Sequence, residues 1–274
     1  MRSAAMNNPS PAIPCAGFYE TFRTSGGRPH HWPYNQRRLE AGCAAAGLVL
    51  PAGFLANDEV ELRRTVAQIL TARGFPDAVF RYSVEAGPTQ PSERLEVRPL
   101  PAAPPEGGVT LRILGPSRTA AGGPIRPKRA KDPEILLGAA ELSRRATAAS
   151  DEGLFLSHEN GWVVETTRQA VFWISGPRIC YPDPAVGGVA SSCLAWVLEQ
   201  GLVCEPRHAP LAELLAADAI GVCNAVRGIT PVREIWSLDD RERLGIFDSA
   251  PHPILKKLSA AWSAALRATA EGLP

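Results

Sequence analysis

Residues 17–24 (Gly-Phe-Tyr-Glu-Thr-Phe-Arg-Thr) alternate apolar and polar positions and are rich in aromatic and β-branched side chains, which predicts a strand. Alternation sends Tyr19 and Thr21 to the same face. Ser25-Gly26-Gly27-Arg28-Pro29 reads as a turn. Helical spacing follows over 34–46, where Leu39 and Cys43 lie four apart. It is clearer over 58–73, where Leu62, Val66, Ile69 and Leu70 share a face and Gly74 provides the stop. Strands are expected at 78–86, 94–100 and 109–114. Loops are expected at 101–108 and 115–127, both dense in Gly and Pro.

The second half opens with Asp132-Pro133, an N-cap acid followed by proline at the first helical position, and predicts a helix to about residue 150. A strand at 153–157, a turn around Asn160-Gly161 and a strand at 162–165 make a hairpin. Val171-Phe172-Trp173-Ile174 and residues 178–181 are further strand candidates. Beyond them the pattern gives a helix at 190–200 closed by Gly201, a strand at 202–205, a helix at 210–216, a strand at 219–223 and a long final helix at 251–270. Residues 1–16 read as a loose polar arm.

Composition narrows the class. The 274 residues suit one large or two modest domains, and 45% apolar content supports a normal core. We divide the chain into an N-terminal α/β domain (1–115), an interdomain loop (116–130) and a C-terminal domain (131–274). Lys and Arg total 29 against 28 Asp and Glu, so charge gives no case for nucleic acid or a membrane surface. No apolar run is long enough for a membrane span, and the N-terminus lacks a signal-peptide core. The six cysteines are scattered without a C-x-x-C pair, and the five histidines show no ligand spacing. That pattern suggests no metal and a reduced, cytoplasmic setting.

The candidate chemistry lies between 125 and 173. A basic turn, Ile125-Arg126-Pro127-Lys128-Arg129-Ala130-Lys131, precedes the helix, and a lone acid, Glu165, ends a strand 34 residues after Lys131. A Schiff-base cofactor needs this pairing: an amine for the aldehyde and a carboxylate for the ring nitrogen. Surrounding cations favour the neutral, nucleophilic amine. Charge alone fits a solvated basic turn better, since most such runs are simply solvated.

Gly161-Trp162-Val163-Val164-Glu165, followed by Val171-Phe172-Trp173, resembles the class IV aminotransferase family, the fold-type IV pyridoxal-phosphate enzymes. Val222-Cys223-Asn224-Ala225 and Ile229-Thr230-Pro231-Val232 resemble its 4-amino-4-deoxychorismate lyase branch most closely. The likeness spans roughly residues 17–236. It implies a mixed α/β, two-domain architecture with pyridoxal 5'-phosphate between the domains, and a homodimer. Lys131 would be the catalytic lysine, with Lys128 as rival, and Glu165 the partner of the ring nitrogen. Arg38 would bind the phosphate, as would the backbone N–H groups of Val189 and Ala190 at a helix start and the Asn224 side chain. Tyr19, Thr21 and Arg81 are the substrate-side candidates.

Four positions depart from the family pattern: Asn35 replaces a histidine, Ile135 a tyrosine, Ala170 an asparagine and Ser191-Ser192 an arginine-bearing segment. The hairpin that usually precedes Gly17 is shortened or absent. The implied activity is pyruvate elimination from 4-amino-4-deoxychorismate to give 4-aminobenzoate. The alternatives are an aminotransferase for a branched-chain or D-amino acid, or a catalytically altered family member. Each takes a small-molecule amine or amino acid.

Overall fold

Strand β1 (Gly17–Ser25) turns Phe18, Glu20, Phe22 and Thr24 to a buried face and Tyr19, Thr21 and Arg23 to the other. It pairs antiparallel with β3 (Ala78–Glu85), and β3 pairs with β4 (Ser92–Pro99). With β2 (Arg28–Pro29) the sheet order is β2-β1-β3-β4. Helices α1 (Trp32–Ala45) and α2 (Glu59–Arg73) cover the apolar face through Trp32, Leu39, Leu62 and Val66. The start and stop read for α2 hold: the Asp58 carboxylate accepts from Glu61 N–H at 2.9 Å, and Gly74 closes the helix at φ 65°. Helix α1 begins two residues before its expected start. No capping side chain marks that point, and His31 precedes it at φ 57°. What decides the start is packing, since Trp32 lies edge-on to Phe22 (5.1 Å) and Tyr82 (5.9 Å).

This computed structural model describes residues 17–87, 89–118, 152–157, 160–237 and 241–272. A second, larger sheet contains β5 (Val109–Arg118), β6 (Glu152–Ser157), β7 (Val163–Thr166), β8 (Ala170–Ser175), β9 (Arg178–Pro182), β10 (Val203–Arg207), β11 (Ala219–Asn224) and β12 (Gly228–Trp236). Its order is β10-β9-β8-β11-β12-β5-β6-β7, with β13 (Arg243–Ile246) on β12. The sheet curls. Trp162, just before β7, bridges Pro210, and Val163 N–H donates to the Ala209 carbonyl at 2.8 Å. Strand β8 is buried on both faces, which explains its unbroken apolar run. Val171 and Trp173 enter the inner cluster with Leu111 and with Leu214 of α4 (Leu211–Leu215). Phe172 and Ile174 enter the outer cluster under α3 (Ser192–Leu198) and α5 (Pro253–Glu271).

Several boundaries differ from the sequence pattern. Strand β5 follows the first sheet in the chain but pairs parallel with β12 and β6, so the break between the sheets falls within 100–108. The strand also continues to Arg118, into the stretch read as loop. Helix α3 is shorter than expected at both ends; at its start the Ser191 hydroxyl caps it by accepting Leu194 N–H at 3.2 Å. The basic turn, Lys128, Lys131 and the helix expected at 132–150 lie outside the described residues, as does the N-terminal arm. Among the described residues no helix is long and apolar enough to cross a membrane.

Helix α5 ties the two sheets together. Trp262 packs at 4.9 Å from His30 and 5.2 Å from Trp196, and Gly228 lies beneath it. A Cβ on Gly228 would sit 2.4 Å from Trp262 Nε1. His30 and His31 stack at 3.9 Å, and His30 Nδ1 meets Thr269 Oγ1 at 2.8 Å. Burial first, then the charges of His31 and Arg23, push His30 down to about 3. Burial pushes His31 down to about 4, against the pull of Glu199. Folding therefore holds both imidazoles neutral while the unfolded chain protonates near its ordinary 6.5. Stability is full above that value and falls as pH drops toward 4, by up to about 1.4 kcal/mol per pH unit for each histidine. Urea denaturation at pH 7.5, 5.5 and 4.5 should show this slope, and His30→Gln should flatten it. Parallel pH profiles for the two proteins would refute the assignment.

Candidate active site

The two sheets enclose a cleft of about 420 Å³, within the range of small-molecule sites. Glu165 on β7 lines it and is 7% exposed. Its Oε2 accepts from Val189 N–H at 3.1 Å. That amide was expected to meet a phosphate. The helix begins at Ser192, three residues after this amide. Ala190 lines a smaller apolar chamber behind Glu165, not the cleft, and its carbonyl accepts from Arg38.

Arg38 lines the cleft as expected, yet its fork is directed inward. Nε donates to Glu20 Oε1 at 2.7 Å, Nη2 donates to Glu20 Oε2, and Nη1 donates to the Ala190 carbonyl at 2.8 Å. Glu20 is 1% exposed. Asn35, in the family's histidine place, donates to the same carboxylate at 2.6 Å and to Ser192 Oγ at 3.5 Å. Arg38 is thus the counter-charge of a buried acid as well as a wall of the cleft.

A second buried acid, Glu152, was not singled out by the sequence. It accepts from Thr167 Oγ1 (3.0 Å), Arg168 Nε (3.0 Å), Gln169 Nε2 (3.2 Å) and Thr166 Oγ1 (3.4 Å). One carboxylate therefore gathers four consecutive side chains of the turn that follows Glu165. Asn224 ties this turn to the next. Its Nδ2 donates to the Arg168 carbonyl at 3.3 Å, and its Oδ1 accepts from Val226 and Arg227 N–H at 3.0 and 2.8 Å. The Asn224 side chain lines the cleft while holding both turns.

Tyr19, Thr21 and Arg81 line the side formed by the smaller sheet, as alternation required. Arg98 on β4 joins them. Its strand position carries no signal in sequence, because an edge-strand arginine looks the same whether it meets solvent or a ligand. Among the described residues, five arginines (38, 81, 98, 168 and 227) and two glutamates (152 and 165) line the cleft. Glu20 and Glu152 offset Arg38 and Arg168. The remaining excess is positive and suits an anionic ligand.

The class IV amino-transferase family model matches residues 17–235. The chain belongs to that family. An aminodeoxychorismate lyase of Vibrio harveyi is 25% identical over 243 residues, covering 82% of this chain and 85% of the relative. The crystal structure of 4-amino-4-deoxychorismate lyase from Pseudomonas aeruginosa is 26% identical, with a TM-score of 0.69 and 96% of each chain covered. A hypothetical aminotransferase from Mycobacterium tuberculosis in its PLP-bound form shares the fold at 18% identity, with a TM-score of 0.70 and 95% of each chain covered. The family is pyridoxal-phosphate-dependent, and the described residues fit that cofactor. Glu165 presents a buried, oriented carboxylate, and the surplus arginines supply anion donors.

Breaking the Glu20–Arg38 pair should affect the fold before the chemistry. Arg38→Ala leaves a buried carboxylate without its cation and should cost about 3–5 kcal/mol of stability, with or without cofactor. Glu20→Gln combined with Arg38→Met should recover most of the loss. Urea denaturation of the apo-protein reads both variants. An Arg38→Ala protein as stable as wild type would show that the pair contributes nothing to the fold.

Proposed function

We propose that the chain is a pyridoxal-phosphate-dependent lyase that converts 4-amino-4-deoxychorismate to 4-aminobenzoate and pyruvate. The carrying observation is the polar, cationic side of the cleft formed by Tyr19, Thr21, Arg81 and Arg98. A branched-chain substrate calls for an apolar lining there, whereas an amine with carboxylates matches hydroxyls and guanidinium groups. The end-to-end likeness to two lyases supports the same reading.

When bound, pyridoxal phosphate supplies the electron sink that lets a proton leave the carbon bearing the amine. Glu165, oriented by Val189 N–H, holds the proton on the ring nitrogen. Lys131 would hold the cofactor by its aldehyde group and would move the substrate proton, with Lys128 as its rival. Arg38 keeps further N–H groups for the phosphate beyond those given to Glu20 and Ala190. Asn224, which also shapes the adjoining turns, would offer its second Nδ2 hydrogen to the phosphate, and the Arg227 side chain would add donors. The active form is a homodimer, on the family resemblance. An aminotransferase would use the same Lys131 and Glu165, and the fold shared with the Mycobacterium tuberculosis protein supports that second reading.

Pyruvate release from 4-amino-4-deoxychorismate by the purified holoenzyme tests the reaction. Amino transfer from an amino acid without pyruvate release would replace it with the second reading. Lys131→Ala should abolish borohydride-fixed cofactor, located by peptide mass mapping. Loss only in Lys128→Ala would move the role to Lys128. Glu165→Gln should retain bound cofactor and slow turnover by roughly 10²-fold, the scale of removing one electrostatic partner from an active site. Unchanged turnover would remove Glu165 from the mechanism.

A further inference from the structure

Gln169 lines the cleft with its hydrogen bonding half complete. Its main chain closes the tight turn after Glu165. Its N–H donates to Thr166 Oγ1 at 2.9 Å, and its carbonyl accepts from Thr166 N–H at 2.9 Å and from Thr166 Oγ1 at 2.8 Å. Its side-chain Nε2 donates to Glu152 Oε1 at 3.2 Å. A carboxylate only accepts, so this contact settles which way the amide faces: nitrogen toward Glu152, oxygen on the far side. The residue is 3% exposed, and its Oε1 is buried without a hydrogen-bond partner among the described residues. The adjoining hydroxyls cannot supply one, because the Thr166 hydroxyl donates to the Gln169 carbonyl and the Thr167 hydroxyl to Glu152. A buried carbonyl oxygen in this state is costly, and a ligand that brings an N–H group into the cleft relieves the cost. Gln169 shares its wall of the cleft with two carboxylates, Glu152 and Glu165, which favour a donor of positive character over an anion.

We propose that Gln169 is a specificity-determining residue: its Oε1 accepts an N–H of the ligand's free amine and seats that amine on the Glu165 side of the cleft before the chemistry begins. The assignment rests on the cleft being the amine site, as argued above, and deepens that reading by naming the side chain that tells an amine from a group of the same size without N–H. A buried acceptor discriminates well for a physical reason. An N–H completes the amide's bonding, whereas a methyl group of similar size seals the oxygen away from water and offers no donor. Glu152 is the positioning residue, since without its carboxylate the amide could turn its nitrogen to the ligand. Sequence carries no signal of this role, because a glutamine between an arginine and an apolar strand looks like an ordinary strand start.

Two probes of equal charge and similar shape test the assignment, 4-aminobenzoate and 4-methylbenzoate. Each is titrated by calorimetry into holoenzyme whose cofactor has been fixed with borohydride, so that imine exchange contributes nothing. Wild type should bind 4-aminobenzoate about tenfold more tightly, the scale of one hydrogen bond to a buried acceptor. Gln169→Met should weaken 4-aminobenzoate about tenfold and leave 4-methylbenzoate within about twofold of wild type, which erases the preference. Glu152→Gln should lower the preference with Gln169 in place, because the Gln169 amide can then face either way. With 4-amino-4-deoxychorismate the loss in Gln169→Met should appear in KM more than in kcat. Equal binding of the two probes by wild type would overturn the assignment, and that comparison needs no variant to fold. Equal weakening of both probes in Gln169→Met, the mark of a merely structural role, would overturn it too, as would an unchanged preference. The two readings fail separately. An N–H preference without pyruvate release would sink the lyase reading alone, and pyruvate release without the preference would sink the role of Gln169 alone.

Discussion

The contact between the Glu20 carboxylate and the Arg38 guanidinium is the constraint on which the site depends. Glu20 faces inward on β1 among aromatic side chains, where an unpartnered charge would be costly. Arg38 supplies the charge from α1 and reaches on to the Ala190 carbonyl. Asn35 donates to the same carboxylate and touches Ser192. The cluster therefore fixes where the smaller sheet sits against the 187–192 segment. That segment in turn presents Val189 N–H to Glu165. The geometry of the Glu165 carboxylate is linked through two short steps to a buried ion pair in the other sheet.

Three buried glutamates divide the work by their surroundings. Glu20 answers a cation and joins the two sheets. Glu152 collects four donors from consecutive residues and sets the shape of one turn. Glu165 faces the cleft and is oriented by a backbone N–H. Identical side chains thus act as clamp, turn former and cleft-facing acid. The arginines divide in parallel. Arg38 and Arg168 are held by acids, while Arg81 and Arg98 face the cleft without one among the described residues.

The departures from the family pattern also gain a physical setting. Asn35 still serves as a donor to Glu20, so the buried acid keeps a neutral partner where a histidine is usual. Ser191 caps α3, and Ser192 accepts from Asn35, so this segment holds the sheets together without an arginine. Ala170 packs in the outer cluster.

Local chemistry alone determined much of this protein. The Asp58 cap and Gly74 stop framed α2, and the Asn160-Gly161 turn framed the β6–β7 hairpin. The unbroken Val171–Ile174 run marked a strand buried on both faces. Those signals lie within a few residues of the elements they govern. The order of the Gly161–Glu165, Val171–Trp173, Val222–Ala225 and Ile229–Val232 segments was also enough to suggest the family. Tertiary structure decided the rest. The placement of β5 in the larger sheet depends on hydrogen bonds to β12, more than a hundred residues away. The direction of the Val189 amide depends on where Glu165 comes to rest. Arg81 and Arg98 came to line one cleft only through the pairing register of β3 and β4. A side chain's type is written in the chain, but its partner is chosen by distances that only folding sets.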